Sequence, residues 1–194
     1  MELISDILYW ISTGLLVPVI ILLIFLFVRA LVLIGSFFGQ YLSIRKASSQ
    51  VRQALTGVTK ENVDSVLENL PKKSGMPVVN YVRKIVENKD NSAEIKRILA
   101  EFEIEADKDL TTSKMLSKLG PMLGLMGTLI PMGPALAGLA SGDIESMARN
   151  MQVAFATTVT GLVAAAIGYV TQQIKQRWYL QDMTNLEYLS EILG

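Results

Sequence analysis

Three long stretches of this chain carry no charge, and between them polar and apolar positions alternate with helical spacing. Residues 7–28, ILYWISTGLLVPVIILLIFLFV, form the first uncharged stretch. As a helix rising about 1.5 Å per residue it reaches about 33 Å, enough for a hydrocarbon core of about 30 Å. Residues 119–142 and 150–174 form the second and third. The short polar step from Asp143 to Arg149 joins these two into a helical hairpin. Asp143 is placed to cap the third helix, and Glu145 to pair with Arg149 one turn on. Pro18 is expected to kink the first helix. A cleaved signal peptide is disfavoured for the first stretch: Glu2 and Asp6 precede it, no Lys or Arg does, and it is too long for an h-region.

Between spans one and two the pattern predicts short amphipathic helices near 42–56, 60–70, 77–88 and 92–118, punctuated by Gly57, Pro71, Gly75 and Pro77. Asn91 and Glu94 read as a capping box opening the last of them. That helix should continue into span two with a bend at Gly120–Pro121. So thin a core is expected to pack on extensions of the spanning helices rather than fold alone. The acidic run Glu101, Glu103, Glu105, Asp107 and Asp109 reads as a solvated face.

Charge then orients the chain. Fourteen of the 18 Lys and Arg residues lie between Arg45 and Lys118, and Lys175 and Arg177 follow span three. The N-terminal segment has none and the hairpin turn only Arg149. The positive-inside rule therefore predicts an N-terminus outside and a C-terminus in the cytoplasm. Tyr9 and Trp10 at one end, Trp178 and Tyr179 at the other, read as aromatic belts, with Arg29 closing span one on the inner side. The expected fold class is an all-α integral membrane protein with three transmembrane helices and long cytoplasmic helical extensions. Its parts are 1–38 with the first span, 39–118 as cytoplasmic helical region, 119–142 as second span, 143–149 as short outer loop, 150–174 as third span, and 175–194 as cytoplasmic C-terminal helix. The expected location is the cytoplasmic (inner) membrane, multi-pass.

Composition narrows the chemistry. The chain has no Cys and no His, so thiolate chemistry, disulfides and imidazole bases or ligands are excluded. No metal site or resident cofactor is expected, and a pocket with so few reactive groups argues against an enzyme. The Gly-rich run 120–128 is not a P-loop, since no Lys precedes Thr128. Lys+Arg and Asp+Glu balance at 18 each, which disfavours nucleic acid as a partner.

Small residues mark one face of each hairpin helix. In span two they are Gly120, Gly124, Gly127, Thr128, Pro131, Pro134, Ala135 and Gly138; in span three Ala154, Thr158, Gly161, Ala165 and Gly168. Three- and four-residue spacing puts each set on one side, where small side chains let backbones approach in lipid. Helix packing accounts for most of these positions. The two prolines of span two free carbonyls, and Thr157, Thr158, Thr160 and Thr171 make span three rich in hydroxyls. An intrahelical bond to the carbonyl four residues back is the ordinary use of such a hydroxyl. Thr128 and Thr158, each on its small-residue face, are the candidates for a wet path. No Asp, Glu, Lys, Arg or His lies inside any of the three spans. Ion paths in membranes need such a group at depth, so conduction requires a carboxylate from another chain.

The run Gly120, Pro121, Met122, Leu123, Gly124, Leu125, Met126, Gly127, Thr128 resembles the second helix of the MotA/TolQ/ExbB proton channel family, roughly P-L-L-G-L-x-G-T-V. The run from Ala156 to Ala165 is similar to that family's third helix, A-T-x-x-G-L-x-V-A-I-P. Order, spacing and topology agree with the resemblance. Val153 stands where ExbB-like sequences carry Glu, Ile167 where the family has Pro, and Pro131 where a Gly usually follows the G-T step. The flagellar stators carry a further N-terminal span, so the expected branch is TolQ/ExbB.

The resemblance implies a homopentameric ring around two copies of a single-span subunit like ExbD, TolR or MotB, whose membrane Asp takes the ion. It also implies that Thr128 and Thr158 face that Asp, with Gly124, Gly127, Pro131, Gly161 and Ala165 shaping the pore and helix packing. The function expected is a pore-ring subunit that passes H⁺ or Na⁺ and converts the flow into rotation. The alternative is a non-conducting scaffold that uses the small-residue faces for assembly alone.

Overall fold

A computed structural model describes residues 2–55, 58, 62–63, 67 and 77–193. All regular structure among them is helical: α1 Glu2–Gly14, α2 Leu16–Leu55, α3 Pro77–Glu87, α4 Ser92–Ser141 and α5 Ile144–Leu193. Of the expected helix at 60–70 only residues 62, 63 and 67 are described, and the punctuating Gly57, Pro71 and Gly75 lie outside the described residues. Three helical stretches are long and apolar enough to cross a membrane: Ile7–Tyr41, Ser92–Ser141 and Ile144–Leu193.

The helices are fewer and longer than the hydrophobic blocks suggest. The first span does not stop before a separate helix at 42: α2 runs unbroken from Leu16 to Leu55. As expected, the helix at 92–118 runs on into span two: the two are one 50-residue helix, α4, passing through Gly120 and Pro121. Span three and the C-terminal segment merge likewise into α5. A change from apolar to polar sequence alters what surrounds a helix, not its backbone, so without a breaker the helix continues. The kink expected at Pro18 appears upstream as a break at Leu15 between α1 and α2. The Pro18 ring has no N–H to give the Gly14 carbonyl and crowds it, so α2 restarts with Pro18 in its first turn.

The connection between α4 and α5 is shorter than the expected 143–149. Helix α4 ends at Gly142, whose φ of 77° is the left-handed conformation that glycine adopts freely. The N–H of Asp143 donates to the Gly138 carbonyl at 2.8 Å, and that of Gly142 to Leu139 at 3.2 Å, closing a Schellman motif. Asp143 then caps α5, its Oδ1 accepting from the Ser146 N–H at 3.0 Å. Glu145 and Arg149 pair at 3.1 Å, but within the first turns of α5 rather than in a loop. The capping box before α4 is half made. Asn91 Oδ1 accepts from the Glu94 N–H at 3.2 Å, while the Glu94 carboxylate turns to Arg97.

Contacts divide the chain into two compact units, Met1–Ile34 with Thr112–Gln172, and Gly35–Thr111 with Gln173–Gly194. In the first, Leu26, Ala30 and Leu33 of α2 pack with Leu116 and Ala164, flanked by Leu123 and Ile167. Its outward side chains are also apolar: Leu125, Leu129 and Leu136 are each 60% exposed and Phe155 70%. Such a surface needs lipid or protein against it, not water.

The second unit has the core that the polar segment alone could not supply. Residues of α3 (Val78, Val82, Ile85) and α4 (Ile95, Ile98, Phe102) meet Leu186, Leu189 and Leu193 of α5 in one cluster. Trp178 stacks on Phe37, ring centroids 5.6 Å apart and planes 7° off parallel. Tyr179 sits edge-on to Phe102. Both tail aromatics are thus packing residues of this unit, beyond any belt role. The acidic run is not uniformly a solvated face either. Asp109 Oδ2 accepts from Lys175 Nζ and from the Tyr179 hydroxyl, both at 2.8 Å, and Glu105 accepts from the Tyr81 hydroxyl at 2.7 Å. Lys175 is buried, not a free cation of the tail. Burial and the neighbouring carboxylate push the Tyr81 hydroxyl up to about 12, and burial with Asp109 raises Tyr179 further.

Candidate functional site

Within the first unit α4 and α5 run antiparallel along a seam that glycine makes possible. A Cβ built on Gly161 would stand 2.5 Å from the Gly120 carbonyl oxygen and 2.9 Å from the Gly124 Cα. A Cβ on Gly120 would meet the Gly161 carbonyl at 2.6 Å and the Ala165 Cβ at 3.0 Å. Further toward the hairpin turn, Gly127 receives Thr157, whose Cβ and Oγ1 would lie 2.6 Å from a Cβ there. At the other end Gly168 admits Leu116 at 2.7 Å. Backbones this close gain many dispersion contacts that a larger side chain would block. The structure therefore brings Gly124, Gly127, Gly161 and Ala165 into one seam. Pro131 is fully buried in the same unit.

The hydroxyls border this seam. Thr158, half-buried, sets Oγ1 3.2 Å from the Ala154 carbonyl and 3.4 Å from the Gly124 carbonyl across the seam. Thr128, also half-buried, donates to Leu125 O at 2.7 Å. Thr157, buried in the seam, donates to the carbonyls of residues 153 or 154 at 3.0 and 2.9 Å. Thr160 donates four residues back to Ala156 at 2.8 Å. Each hydroxyl proton is thus engaged by a carbonyl, leaving oxygen lone pairs as what the side chain can offer. The prolines add acceptors: Pro131 and Pro134 of α4 have no N–H, so the carbonyls of Gly127 and Ile130 receive no helical hydrogen bond from them. Thr128 adjoins the freed Gly127 carbonyl. Thr128 and Thr158 each keep oxygen lone pairs that can accept a hydrogen bond, and neither hydroxyl nor carbonyl titrates in the ordinary pH range.

Three polar features were not legible in the sequence. Ser113 and Thr171 are both buried and meet at 3.3 Å, with Thr171 bonded to the Ile167 carbonyl. Lys175 is buried against Asp109. Asp182 of α5 is 6% exposed in the second unit. Their spacing fits the buried face of α5, but that face is set by which helices pack there. Among the described residues no cluster of acidic, His or Cys side chains could hold a metal ion.

The family model for the MotA/TolQ/ExbB proton channel family matches residues 65–187, more than half of the chain, including all of α4 and α5 as far as Glu187. No curated protein matched the chain.

Proposed function

The chain belongs to the MotA/TolQ/ExbB proton channel family, and we propose that it is the pore-ring subunit of a motor driven by H⁺ or Na⁺. Five copies surround two copies of a single-span partner resembling ExbD, TolR or MotB. The partner's membrane Asp carries the ion, and ion flow turns the partner relative to the ring. The observation that carries this reading is the α4–α5 seam: a close-packed hairpin bordered by hydroxyls and freed carbonyls, with no Asp, Glu, Lys, Arg or His of its own inside either span.

The chemistry follows from what such a lining can do. An ionised Asp in a low-dielectric path is costly, and protonation or cation binding removes that cost. The Thr158 hydroxyl, tied by its proton to a carbonyl, offers an acceptor to a protonated carboxyl or to a partly dehydrated cation. Thr128 and the Gly127 carbonyl do the same from α4. An ionised Asp finds no such welcome, so it moves to the next subunit or to water. Each charge that crosses 100 mV releases about 2.3 kcal/mol, so work on a distant target takes several ions per stroke. In this reading the N-terminus lies outside, the second unit is cytoplasmic, the membrane is the cell's inner membrane, and the branch is TolQ/ExbB.

The test is ion flux through the complex reconstituted with its Asp-bearing partner. Thr158→Val keeps shape and removes the hydroxyl. Losing one hydrogen bond to a charged or strongly polar group, about 1.5 kcal/mol, lowers flux roughly tenfold. Flux equal to the unmodified complex would remove Thr158 from the path. No flux from any complex, with a partner present, would leave the scaffold reading in its place.

A further inference from the structure

In the second unit the outward sides of α4 and α5 carry matching patterns. Asp109 is held by Lys175 and Tyr179, so the two antiparallel helices are level there. Counting about 1.5 Å per residue from that level brings Ile104 to within about 3 Å of the height of Leu180. These are two strongly exposed apolar side chains of the unit, 69% and 60%. At about 100° per residue, Ile104 lies on the side of α4 turned away from Phe102 and Asp109, which meet α5. Leu180 lies on the side of α5 turned away from Lys175 and Tyr179, which meet α4. The two patches thus face in opposite directions, and neither covers the other. An open groove of about 670 Å³ runs beside Ile104, bordered by Tyr81 and Glu105.

Charge has the same register. Between residues 101 and 109, Glu105 and Asp109 are taken up by Tyr81, Lys175 and Tyr179, which leaves Glu101, Glu103 and Asp107 against Lys108; at that height the outward side of α5 carries Arg177. Two to three turns farther along, α4 exposes Lys96 and Arg97, and α5 at the same height exposes Glu187 and Glu191. Arg97 is bridged to Glu94 and Glu101, so Lys96 is the cation of that band with no carboxylate of α4 on it; the sign changes once along each helix, in opposite senses on the two.

We infer that the outward face of α4 around Ile104 docks the outward face of α5 around Leu180 on a second copy of this chain, head to tail. Rotation about an axis along the helices leaves heights unchanged, so it brings together residues at one level. Apolar then meets apolar, and each charged band meets its opposite. A head-to-tail contact of this kind repeats until the rotation closes a ring. The surface therefore sets which helices adjoin and in what register, and it rests on the ring proposed above.

The chain's lack of cysteine makes the test direct. In the full chain, Ile104→Cys with Leu180→Cys is oxidised in detergent or membranes and run on a denaturing gel. The expected result is a ladder of covalent multimers up to the closed ring, with neither single variant linking. Arg177→Glu should lower the yield of the ladder several-fold, and adding Glu103→Arg should restore it. A doubly substituted chain that stays monomeric on the gel while its native mass remains that of a ring overturns this interface and leaves the ring standing. Dimers from Ile104→Cys alone overturn it too, since they require like faces to meet. An unmodified chain with the native mass of a monomer removes the ring itself, and the interface with it.

Discussion

Gly161→Ala dissociates or unfolds the α4–α5 seam, at a cost of about 3 kcal/mol, whereas Gly39→Ala leaves the protein as stable as before or slightly more so. The two substitutions add the same methyl to the same kind of helix. At Gly161 that carbon would sit 2.5 Å from the Gly120 carbonyl oxygen and 2.9 Å from the Gly124 Cα, and both obstacles are backbone. No rotamer relieves them; the helices must separate along their length. Overpacking of a well-fitted contact typically costs about 1–3 kcal/mol, and backbone-on-backbone clashes fall at the upper end. At Gly39 nothing lies within 4 Å, so the gain in helix propensity, up to about 1 kcal/mol, is what remains. Thermal unfolding of the purified protein in one detergent checks both. A Gly161→Ala protein that melts with the unmodified one would mean the seam is not as close as drawn.

Asp182→Asn stabilises the protein at pH 8 by up to about 3 kcal/mol, and has almost no effect at about pH 3. Asp182 is 6% exposed, and burial pushes its carboxyl up from 3.8 to about 6. The sign follows from linkage. Below about pH 4 the carboxyl is protonated in both folded and unfolded chains and contributes nothing. Between about 4 and 6 the unfolded chain ionises while the folded one resists, so stability falls as pH rises. Above 6 the folded protein holds the buried carboxylate, and the penalty is at its full value, about 1.4 kcal/mol for each pH unit of difference. Asparagine keeps the shape without the charge. The expected gain in melting temperature at pH 8 is about 8 °C for a chain of this size. An equal gain at about pH 3 would mean that shape, not charge, is responsible.

Much of this protein is readable along the chain, for identifiable reasons. Three uncharged stretches need a membrane whatever folds around them, because solvation of apolar length is a local property. Asp143 and Asn91 cap the helices they precede, because capping is decided within four residues. The small-residue faces at three- and four-residue spacing place Gly124, Gly127, Gly161 and Ala165 on the sides that meet. The family motifs lie in those same residues, which is why they could be recognised before any geometry.

Other features depended on which helices came together. The continuation of the helix from 92 into span two was legible in the sequence, yet the breaks expected near 42 and 175 do not occur, because a change of surroundings without a breaker does not end a helix. Thr157 and Thr158 are neighbours with like side chains, but only the approach of Gly127 buries one and leaves the other at the edge of the seam. Lys175 looked like a tail cation and Asp109 like part of a solvated acidic face, until α4 and α5 met and paired them. Asp182 carries no local mark of burial at all. A residue's own chemistry and its near neighbours determine its helix, its cap and its preference for lipid or water; contacts between residues far apart in sequence determine which of those preferences is met and which is overruled.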